Sequence, residues 1–287
     1  MGSYMPIEGE AALLIENNER SLIVADLHIG IESRFVKKGL HFPSQTHLIK
    51  NRIEKLIREY TPSTLVILGD VKHNIPNISF QEWKEIPRFF KNLTELIKIE
   101  IVPGNHDGNL KRLIPKNINY HSSKGYILKN GNKKIGLLHG HTWPARDLLD
   151  VNLLFMGHNH PAIGLKDALG IRHVDKVWIR TKWKKKRVQM YILKNETSMN
   201  GNITDSEQNI NKKKIGNPEI IIFPAFHPLI KGTAFNDPQS KFLGPLFTTE
   251  SIEFDEATAY LTDGTHLGPL KNLSIHVQED PSTCLGG

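Results

Sequence analysis

The stretch Val102-Pro-Gly-Asn-His-Asp107 places an amide, an imidazole and a carboxylate directly after a mostly apolar run, Ile99 to Val102. The apolar run is typical of a buried strand, and Pro-Gly predicts that this strand ends in a tight turn. Three polar side chains at a strand end can point at one place. Alone the cluster is weak evidence for a site, because Asn, His and Asp are common in ordinary loops.

Four other apolar strands of the sequence end in the same kind of cluster. Ser21–Ala25 leads into Asp26 and His28, and Leu65–Leu68 leads into Gly69-Asp70. Lys133–Leu138 leads into His139-Gly140-His141, and Leu153–Met156 into Gly157-His158-Asn159-His160. A lone histidine or Gly-Asp pair is usually a loop feature. Five such clusters predict that the strand ends meet in a common site.

The donor atoms of these clusters predict a metal centre. Carboxylate, imidazole and amide without cysteine suit Mn, Fe or Zn better than a structural zinc knuckle, with Ni and Mg as further options. The ligands suffice for two ions bridged by one aspartate. Two cations about 3.5–4 Å apart share a hydroxide that attacks phosphorus in line, while both neutralise the phosphate oxygens.

The segments between the clusters predict an α/β sandwich of mixed sheets with helices outside. Ser44 is expected to cap a helix reaching Tyr60, and Ser79 with Glu82 forms a capping box for a second helix that Pro87 kinks or splits. Hairpins are predicted for Ala11–Ile15 with Ser21–Ala25 and for Gly125–Lys129 with Lys133–Leu138. Late strands are predicted at Val188–Leu193, Glu219–Phe223, Thr258–Leu261 and Leu273–Val277.

The 287 residues are expected to form a single domain over 1–280, with a polar, mobile insertion at 195–217 and a tail at 281–287. No apolar run approaches the roughly 18 to 20 residues that span a bilayer, and the N-terminal residues do not resemble a signal peptide. The only cysteine, Cys284, excludes an internal disulfide, and Leu-Gly-Gly after it makes a poor prenylation box. We therefore expect a cytoplasmic protein without membrane attachment.

The net charge of +7 is concentrated in one segment. Arg172 to Arg187 contains eight Lys and Arg residues against one acid, Asp175, and so accounts for the whole excess. The segment predicts a nucleic-acid contact in which Arg180 and Lys182 meet phosphates and Trp178 or Trp183 stacks on a base. A compatible alternative is a solvated hairpin of Lys176–Arg180 and Arg187–Tyr191 that protects a sheet edge.

In chain order, residues 26–160 contain the motifs Asp-x-His, Gly-Asp, Gly-Asn-His-Asp/Glu, His and Gly-His-x-His. With this ordered set the sequence resembles the calcineurin-like metallophosphoesterases. The resemblance implies a four-layer αββα fold with two mixed sheets. It implies that Asp26, His28, Asp70 and His160 hold one ion and that Asp70, Asn105, His139 and His158 hold the other. His106 would stabilise the transition state or protonate the leaving oxygen, and Asp107 would orient its imidazole by a hydrogen bond.

Several further residues have open roles. The resemblance favours His139 over His141 as a ligand, which leaves His141 behind the ligands, facing the substrate or in an ordinary loop. His73, three residues after Asp70, either reaches a substrate phosphate with charge supplied by Lys72 or Arg34, or is a surface loop residue. Pro224–Leu229 is expected to complete the sheet, with His227 as its one candidate for chemistry.

The surroundings of the motifs resemble the prokaryotic branch related to the nuclease SbcD and to the PdeM-type, ligase-associated phosphoesterases. The similar stretches include Val24 to Gly30, Ile221 to Asn236 and Leu261 to Gly264. This resemblance implies a nuclease acting on DNA or RNA, in the company of DNA-repair proteins. The sequence also allows a homodimer.

The spacing of the motifs favours an open site, because only 32 residues lie between His106 and His139 and there is no large insertion to form a lid. An open site favours a polymeric phosphodiester. The alternatives are a phosphomonoesterase or small-molecule, cyclic-nucleotide-type phosphodiesterase of the same fold, and a non-catalytic nucleic-acid-binding module. The complete ligand set argues against the last of these.

Overall fold

The computed structural model describes residues 3–16, 19–36, 39–40, 42–131, 133–166, 171–200 and 215–273. Its first sheet consists, in spatial order, of β1 (Ser3–Pro6), β2 (Ala12–Glu16), β3 (Ser21–Ala25), β4 (Thr64–Leu68), β5 (Lys98–Val102) and β6 (Asn119–Tyr120). β1 to β3 pair antiparallel, which confirms the first hairpin, and β3 to β6 pair in parallel. β3 and β4 are nearly continuous apolar runs because both of their faces are buried.

The second sheet is formed by the later strands. They are β7 (Tyr126–Asn130), β8 (Lys133–Leu138), β9 (Leu153–Met156), β10 (Pro161–Lys166), β11 (Arg172–Lys182), β12 (Glu219–Ile222), β13 (Thr233–Ala234), β14 (Thr258–Leu261) and β15 (His266–Pro269). Its main path runs β13-β10-β11-β12-β9-β8-β7, with β14 beside β11 and β15 beside β14. β7 and β8 form the predicted hairpin, and β8, β9 and β12 run in parallel.

The helices are α1 (Glu32–Val36), α2 (Thr46–Tyr60), α3 (Phe80–Thr94), α4 (Lys185–Asn200) and α5 (Pro245–Thr248). Short 3-10 helices lie at Leu110–Arg112, Arg146–Asp150 and Leu270–Asn272. Alternate strand residues face opposite layers. Leu22 and Val24 pack under α2 and α3, whereas Ile23 and Ala25 pack against Phe155 of the second sheet. The far side of the second sheet buries Val188 and Leu246, which completes the predicted four-layer αββα sandwich.

The two long helices of the first half form where the sequence predicts them, with two corrections. Gln45, not Ser44, is the N-cap of α2, and Ser44 instead donates to Glu85 Oε2 at 2.8 Å and so links α2 to α3. The capping box of Ser79 and Glu82 starts α3 as predicted. Pro87 does not split this helix, because Ile86 and Phe89 on either side of the proline are buried against the first sheet.

The predicted strand at Val188–Leu193 is wrong, and with it the hairpin of Lys176–Arg180 and Arg187–Tyr191. β11 is one eleven-residue strand, and the chain then turns into α4. Val188 and Ile192, four residues apart, pack on the second-sheet core while Met190 between them is 60% exposed. Residues four apart lie on the same side of a helix, as Val188 and Ile192 do here. The alternation of polar and apolar residues in this segment favours a strand instead.

The insertion predicted at 195–217 lies only partly within the described residues. Residues 195–200 continue α4, and Ile215 is buried in the second-sheet core. Residues 201–214 lie outside the described part of the chain, as do 274–277 of the last predicted strand and the tail with Cys284. Thr258–Leu261 is a strand as predicted. None of the described helices has the length and apolar character needed to cross a membrane.

Candidate metal centre

The five predicted clusters meet at one edge of the sandwich. In the first sheet Ala25 pairs with Leu68, and Leu68 with Val102, so β3, β4 and β5 end level. In the second sheet Leu138 pairs with Met156, so β8 and β9 also end level. The parallel pairing of these strands therefore carries the polar residues that follow each of them to a common place.

One group of side chains consists of Asp26, His28, Asp70 and His160, which each offer an atom within 4.8 Å of the others. His160 Nε2 lies 3.3 Å from Asp26 Oδ1 and 3.2 Å from His28 Nε2. His28 Nε2 lies 3.6 Å from Asp70 Oδ2. Burial lowers the pKa of His28 well below its usual value, which favours the neutral imidazole that binds metals.

A second group consists of Asp70, His139 and His158. His139 Nε2 lies 3.5 Å from Asp70 Oδ2, and His139 Nδ1 donates to the Leu68 carbonyl at 2.9 Å. Because a carbonyl can only accept, Nδ1 carries a hydrogen, and Nε2 is the nitrogen that faces Asp70 and can bind a metal ion. Burial lowers the pKa of His158 to about 3, so this ring is neutral as well.

The two groups fit divalent cations. His139 Nε2 is fully buried and has no hydrogen-bond partner among the described residues. Burial opposes a charge on His139, but Asp70 and Asp26 outweigh that effect and raise its pKa to about 10. The position between His139 and the carboxylates therefore attracts positive charge, which a proton or a metal ion can supply.

The backbone at the site adopts conformations that ordinary residues avoid. Asp26, His28, Asp70, His158 and His160 all have positive φ angles, between 41° and 76°. Such conformations cost of order 1–3 kcal/mol each and persist where the surrounding structure enforces them. The turns at the strand ends therefore direct these side chains toward a common point.

Gly104 serves close packing rather than a left-handed turn. A Cβ atom at this position would lie 2.0 Å from Asp70 Oδ1. The backbone amide of His106 in the same loop donates to that oxygen at 2.9 Å. The glycine thus lets the loop after β5 reach the carboxylate that the two groups share.

The predicted hydrogen bond between Asp107 and His106 is wrong. Asp107 is buried and accepts from the backbone amides of Val71 at 2.8 Å, Lys72 at 3.2 Å and Gly104 at 2.8 Å. His106 Nδ1 instead donates to the carbonyl of His73. Asp107 thus joins the loops after β4 and β5, and the backbone of His73 orients His106.

His73 and Arg34 lie at the rim of the centre. His73 Nδ1 is 3.2 Å from His28 Nδ1, and the His73 ring stacks on His106 with 5.4 Å between centroids. Burial, His106 and Arg34 together lower the pKa of His73 to about 4. Lys72 is not available to a substrate, because it is fully buried and its amine donates to the Asn74 carbonyl.

His141 also belongs to this region, since its ring centroid lies 5.3 Å from that of His139 and 6.2 Å from that of His158. Its Nδ1 is buried without a hydrogen-bond partner in the described part of the chain. Burial and His139 lower its pKa to about 4. The structure therefore places His141 against the second group, without itself belonging to that group.

The basic segment, for which the sequence predicts a nucleic-acid contact, lies away from the metal centre. β11 runs antiparallel to β12, so Lys182 pairs with Glu219 at the edge opposite to the one where β9 and β12 end. Arg180 forms an ion pair with Glu219 there. Trp178 and Trp183 are each 3% exposed and pack in the cores, which excludes the predicted base stacking.

Pro224–Leu229 has a structural role, but it forms a loop and turn beside the centre and adds no strand to the predicted sheet, because β12 ends at Ile222. The amide of Phe226 donates to the Ala25 carbonyl at 2.9 Å, so this segment covers the end of β3. Lys176 donates to the carbonyls of Ala225 and His227 at 2.6 and 2.7 Å, a role with no signal in the sequence. His227 is fully buried, and its Nδ1 accepts from the Leu229 amide, so it cannot contact a substrate.

Comparison with known proteins finds a match to the model of the calcineurin-like phosphoesterase family over residues 20–230. Among solved structures, the chain is similar to the Pseudomonas putida nuclease MPE at 18% identity and a TM-score of 0.48, covering 92% of this chain and 100% of that one. It is similar to Yfce, a phosphoesterase from E. coli, at 18% identity and a TM-score of 0.34, covering 53% and 76%. No curated protein matches the sequence.

Proposed function

The chain belongs to the calcineurin-like phosphoesterase family and is a metal-dependent phosphoric ester hydrolase, and we propose that it is a two-metal phosphodiesterase that cleaves nucleic-acid strands. Mn is the ion we expect, since carboxylate, imidazole and amide donors suit it. The resemblance of the sequence to the SbcD-related branch adds a place in DNA repair to the proposal.

The observation that carries the proposal is the position of Asp70. Its carboxylate belongs to both groups of candidate ligands, with His28 on one side at 3.6 Å and His139 on the other at 3.5 Å. It is 2% exposed, and one of its oxygens, Oδ2, faces both of these histidines. A carboxylate in this position suits a bridge between two cations.

We assign two ligand sets on this basis. Asp26, His28, Asp70 and His160 would hold one ion, and Asp70, Asn105, His139 and His158 the other. Asn105 is exposed in the loop after β5, three residues beyond Val102, and its amide would complete the second set. When bound, the two ions supply an activated water and neutralise charge on the phosphate.

His106 is the candidate acid for the leaving oxygen. Its side chain is 22% exposed, and its Nε2 lies 3.8 Å from Asp70 Oδ2. Because Nδ1 donates to the His73 carbonyl, Nε2 is the nitrogen that can exchange a proton with a substrate. Asp107 would contribute by holding the loops after β4 and β5 in place.

The exposure of the side chains supports a large substrate. Asp26, His28, Asp70 and His139 are buried, whereas the side chains of His106 and His160 are 22% and 20% exposed. A phosphate would therefore approach across His106 and His160. Arg34 is exposed close to His73 and can contact a neighbouring phosphate of the same strand.

Cleavage of end-labelled single- and double-stranded DNA and RNA, with Mn, Mg, Fe, Ni or Zn added to metal-free protein, tests the proposal. We expect Mn-dependent cleavage that Asp70→Asn abolishes, and binding of two ions per chain in the wild type. Lys98→Ala, a change at the opposite end of β5, is the matched control. Phosphate release from simple monoesters without oligonucleotide cleavage would replace the proposal by a phosphomonoesterase, and oligonucleotide binding with no turnover would indicate a binding module.

A further inference from the structure

The aromatic side chains of this protein are unevenly distributed over its surface. Among all Phe, Trp and Tyr residues of the described chain, only Phe42, Phe80 and Trp83 are exposed. Phe80 is 79% exposed and Trp83 is 64% exposed, the two highest values among its large apolar side chains. Leaving two such rings in water is unfavourable, so a face that keeps them is a candidate for binding.

Phe80 and Trp83 lie at the same edge of the sandwich as the metal centre. α3 connects the parallel strands β4 and β5, so its first turn lies where these strands end. Glu82 in that turn accepts from the backbone amides of His73 at 2.9 Å and Asn74 at 2.7 Å. The turn that bears the two rings is thus bonded directly to the loop whose His73 stacks on His106.

The two rings share one side of the helix. Positions three apart on a helix are neighbours, and this side differs from the one on which Glu82, Ile86 and Phe89 are buried. Glu85 and Gln81 mark the side facing α2, since Glu85 bonds Ser44 and Gln81 bonds Glu32. Phe80 and Trp83 therefore point away from the helical layer and remain without a partner in the described structure.

The charge of the exposed surface of α3 complements a nucleic-acid strand. Lys84, Arg88 and Lys91 are exposed on it and form no ion pair with any described residue. The carboxylates of the helix are occupied, Glu82 by backbone amides and Glu85 by Ser44 and Thr46. Aromatic rings beside unpaired basic residues are the combination that binds single strands, because bases stack on the rings while phosphates meet the cations.

We propose that the first turn of α3 forms a single-strand platform, defined as Phe80, Trp83 and Lys84, on which unpaired bases stack next to the scissile phosphodiester. The inference rests on the proposed function and gives it a substrate class, single-stranded nucleic acid. It also replaces Trp178 and Trp183, which are buried, by the one exposed tryptophan of the chain. Continuity with the metal centre and the basic surroundings favour a strand over a protein partner.

The test measures anisotropy of a fluorescein-labelled oligothymidylate of 15 nucleotides, and of a duplex of the same length, with Ca²⁺ in place of Mn²⁺. For the double variant Phe80→Ala/Trp83→Ala we expect the Kd for the single strand to rise roughly tenfold or more, in line with the loss of stacked bases. Leu96→Ala is the matched control, since Leu96 is 56% exposed just beyond the other end of α3. It should bind as the wild type does.

Two further measurements keep the outcome clear. Binding of the oligonucleotide should quench tryptophan fluorescence in the wild type but not in Trp83→Phe, which keeps a ring for stacking and should bind within about threefold of the wild type. With Mn²⁺, the double variant should lose at least fivefold more activity on the oligonucleotide than on bis(p-nitrophenyl) phosphate. That comparison separates strand binding from a general loss of catalysis.

An unchanged Kd in the double variant would overturn the platform and leave this face for a protein partner. A wild-type protein that hydrolyses the small diester with Mn²⁺ but binds no oligonucleotide would overturn the platform while the phosphodiesterase assignment stands. A third outcome would support the platform and defeat the proposed function instead. In that outcome the oligonucleotide quenches wild-type tryptophan fluorescence and binds the double variant tenfold more weakly, but the wild type hydrolyses no diester with Mn²⁺.

Discussion

At the scale of single residues, Asp107 holds two loops together through three backbone amides. Replacing it by Ala leaves the buried amides of Val71, Lys72 and Gly104 without an acceptor. Each buried donor without a partner costs about 1–3 kcal/mol, so we expect Asp107→Ala to lower the free energy of unfolding by roughly 3 kcal/mol or more. Urea denaturation measures this loss.

Asp107→Asn is the control for that prediction. Its side-chain oxygen can still accept from one loop, so we expect a smaller loss than for Ala. If Asp107→Ala were as stable as the wild type yet inactive, the carboxylate would act on His106 and not on the loops.

Asn105 and His106 are neighbours in the chain for which we predict different defects. Asn105→Ala should weaken binding of the second ion, because it removes a proposed ligand. His106→Ala should leave both ions bound and lower turnover by about 10²- to 10⁴-fold, the usual effect of losing a general acid. Calorimetric metal titration and diester hydrolysis measure the two effects separately, and loss of a metal ion in His106→Ala would contradict the assignment.

The order of polar residues predicts which side chains meet at the site but not how they bond there. Asp26, His28, Asp70, His139, His158 and His160 converge because parallel strands end level, which the apolar runs already indicate. The acceptor for His106 is a backbone carbonyl 33 residues earlier in the chain, and every residue has such a carbonyl. No residue type marks it, so the sequence suggested the adjacent Asp107 instead.

At the scale of elements, the capping box of α3 also supports the metal centre. Ser79→Ala removes only the cap and should cost about 1 kcal/mol of stability with little change in turnover. Glu82→Ala also frees the amides of His73 and Asn74. Because the His73 carbonyl orients His106, we expect turnover on a small diester to fall by roughly tenfold or more, as small misplacements of catalytic groups do.

The comparison of kcat with KM checks that prediction. If Glu82→Ala misplaces His106, its kcat falls below that of Ser79→Ala. If both changes only loosen the fold, both variants lose stability and their kcat values stay similar. Equal turnover in Ser79→Ala and Glu82→Ala would show that Glu82 acts on the helix alone.

β5 carries a pH-dependent contribution to stability away from the site. A hydrogen bond from His121 at 3.2 Å, together with Lys98 at 2.7 Å, outweighs burial and holds the pKa of Glu100 well below its usual 4.5. Because the folded state favours the ionised carboxylate, the stabilisation is present above pH 4.5 and is lost as the pH falls toward the lowered pKa.

We therefore expect Glu100→Gln to lower the free energy of unfolding by about 1–3 kcal/mol at pH 7, the range for charge-assisted hydrogen bonds. The difference from the wild type should shrink between pH 4.5 and pH 3, measured by urea denaturation at several pH values. A difference that stays constant with pH would show that the Glu100 carboxylate keeps an ordinary pKa.

α4 shows where periodicity misleads. Arg187 to Tyr191 alternates polar and apolar residues, which satisfies a strand, but the packing uses Val188 and Ile192 at helical spacing. Both interpretations fit five residues, and only the neighbours of the segment in space decide between them. Residues 201–214, which follow the helix, lie outside the described part of the chain.

At the scale of the whole molecule, the centre is built from both sheets. Asp26, His28 and Asp70 follow strands of the first sheet, whereas His139, His158 and His160 follow strands of the second. The alternation of apolar residues predicts two faces for each sheet and thus the layered fold. It does not predict that the basic residues of β11 lie at the far edge of the sheet. The order of strands depends on pairing between segments that are far apart in the sequence.

A centre shared by two sheets couples metal binding to the stability of the sandwich. Each ion that binds only the folded state stabilises it by about 2.7 kcal/mol at a concentration 100 times its Kd, so two ions stabilise it by about 5.4 kcal/mol. For a chain of this size that corresponds to a rise in Tm of about 5–10 °C. We expect Mn²⁺ to raise the Tm of metal-free protein by this amount and EDTA to reverse it, measured by scanning calorimetry.

The variants of the two ligand sets should divide this effect. His139→Ala removes a ligand of one set and should retain part of the rise, whereas Asp70→Asn, which weakens both sets, should lose most of it. Asp70 is also the buried partner of His28 and His139, so its variant must be compared with its own metal-free form. A full rise in Asp70→Asn would contradict the shared carboxylate, because ions held without Asp70 would have to bind elsewhere on the chain.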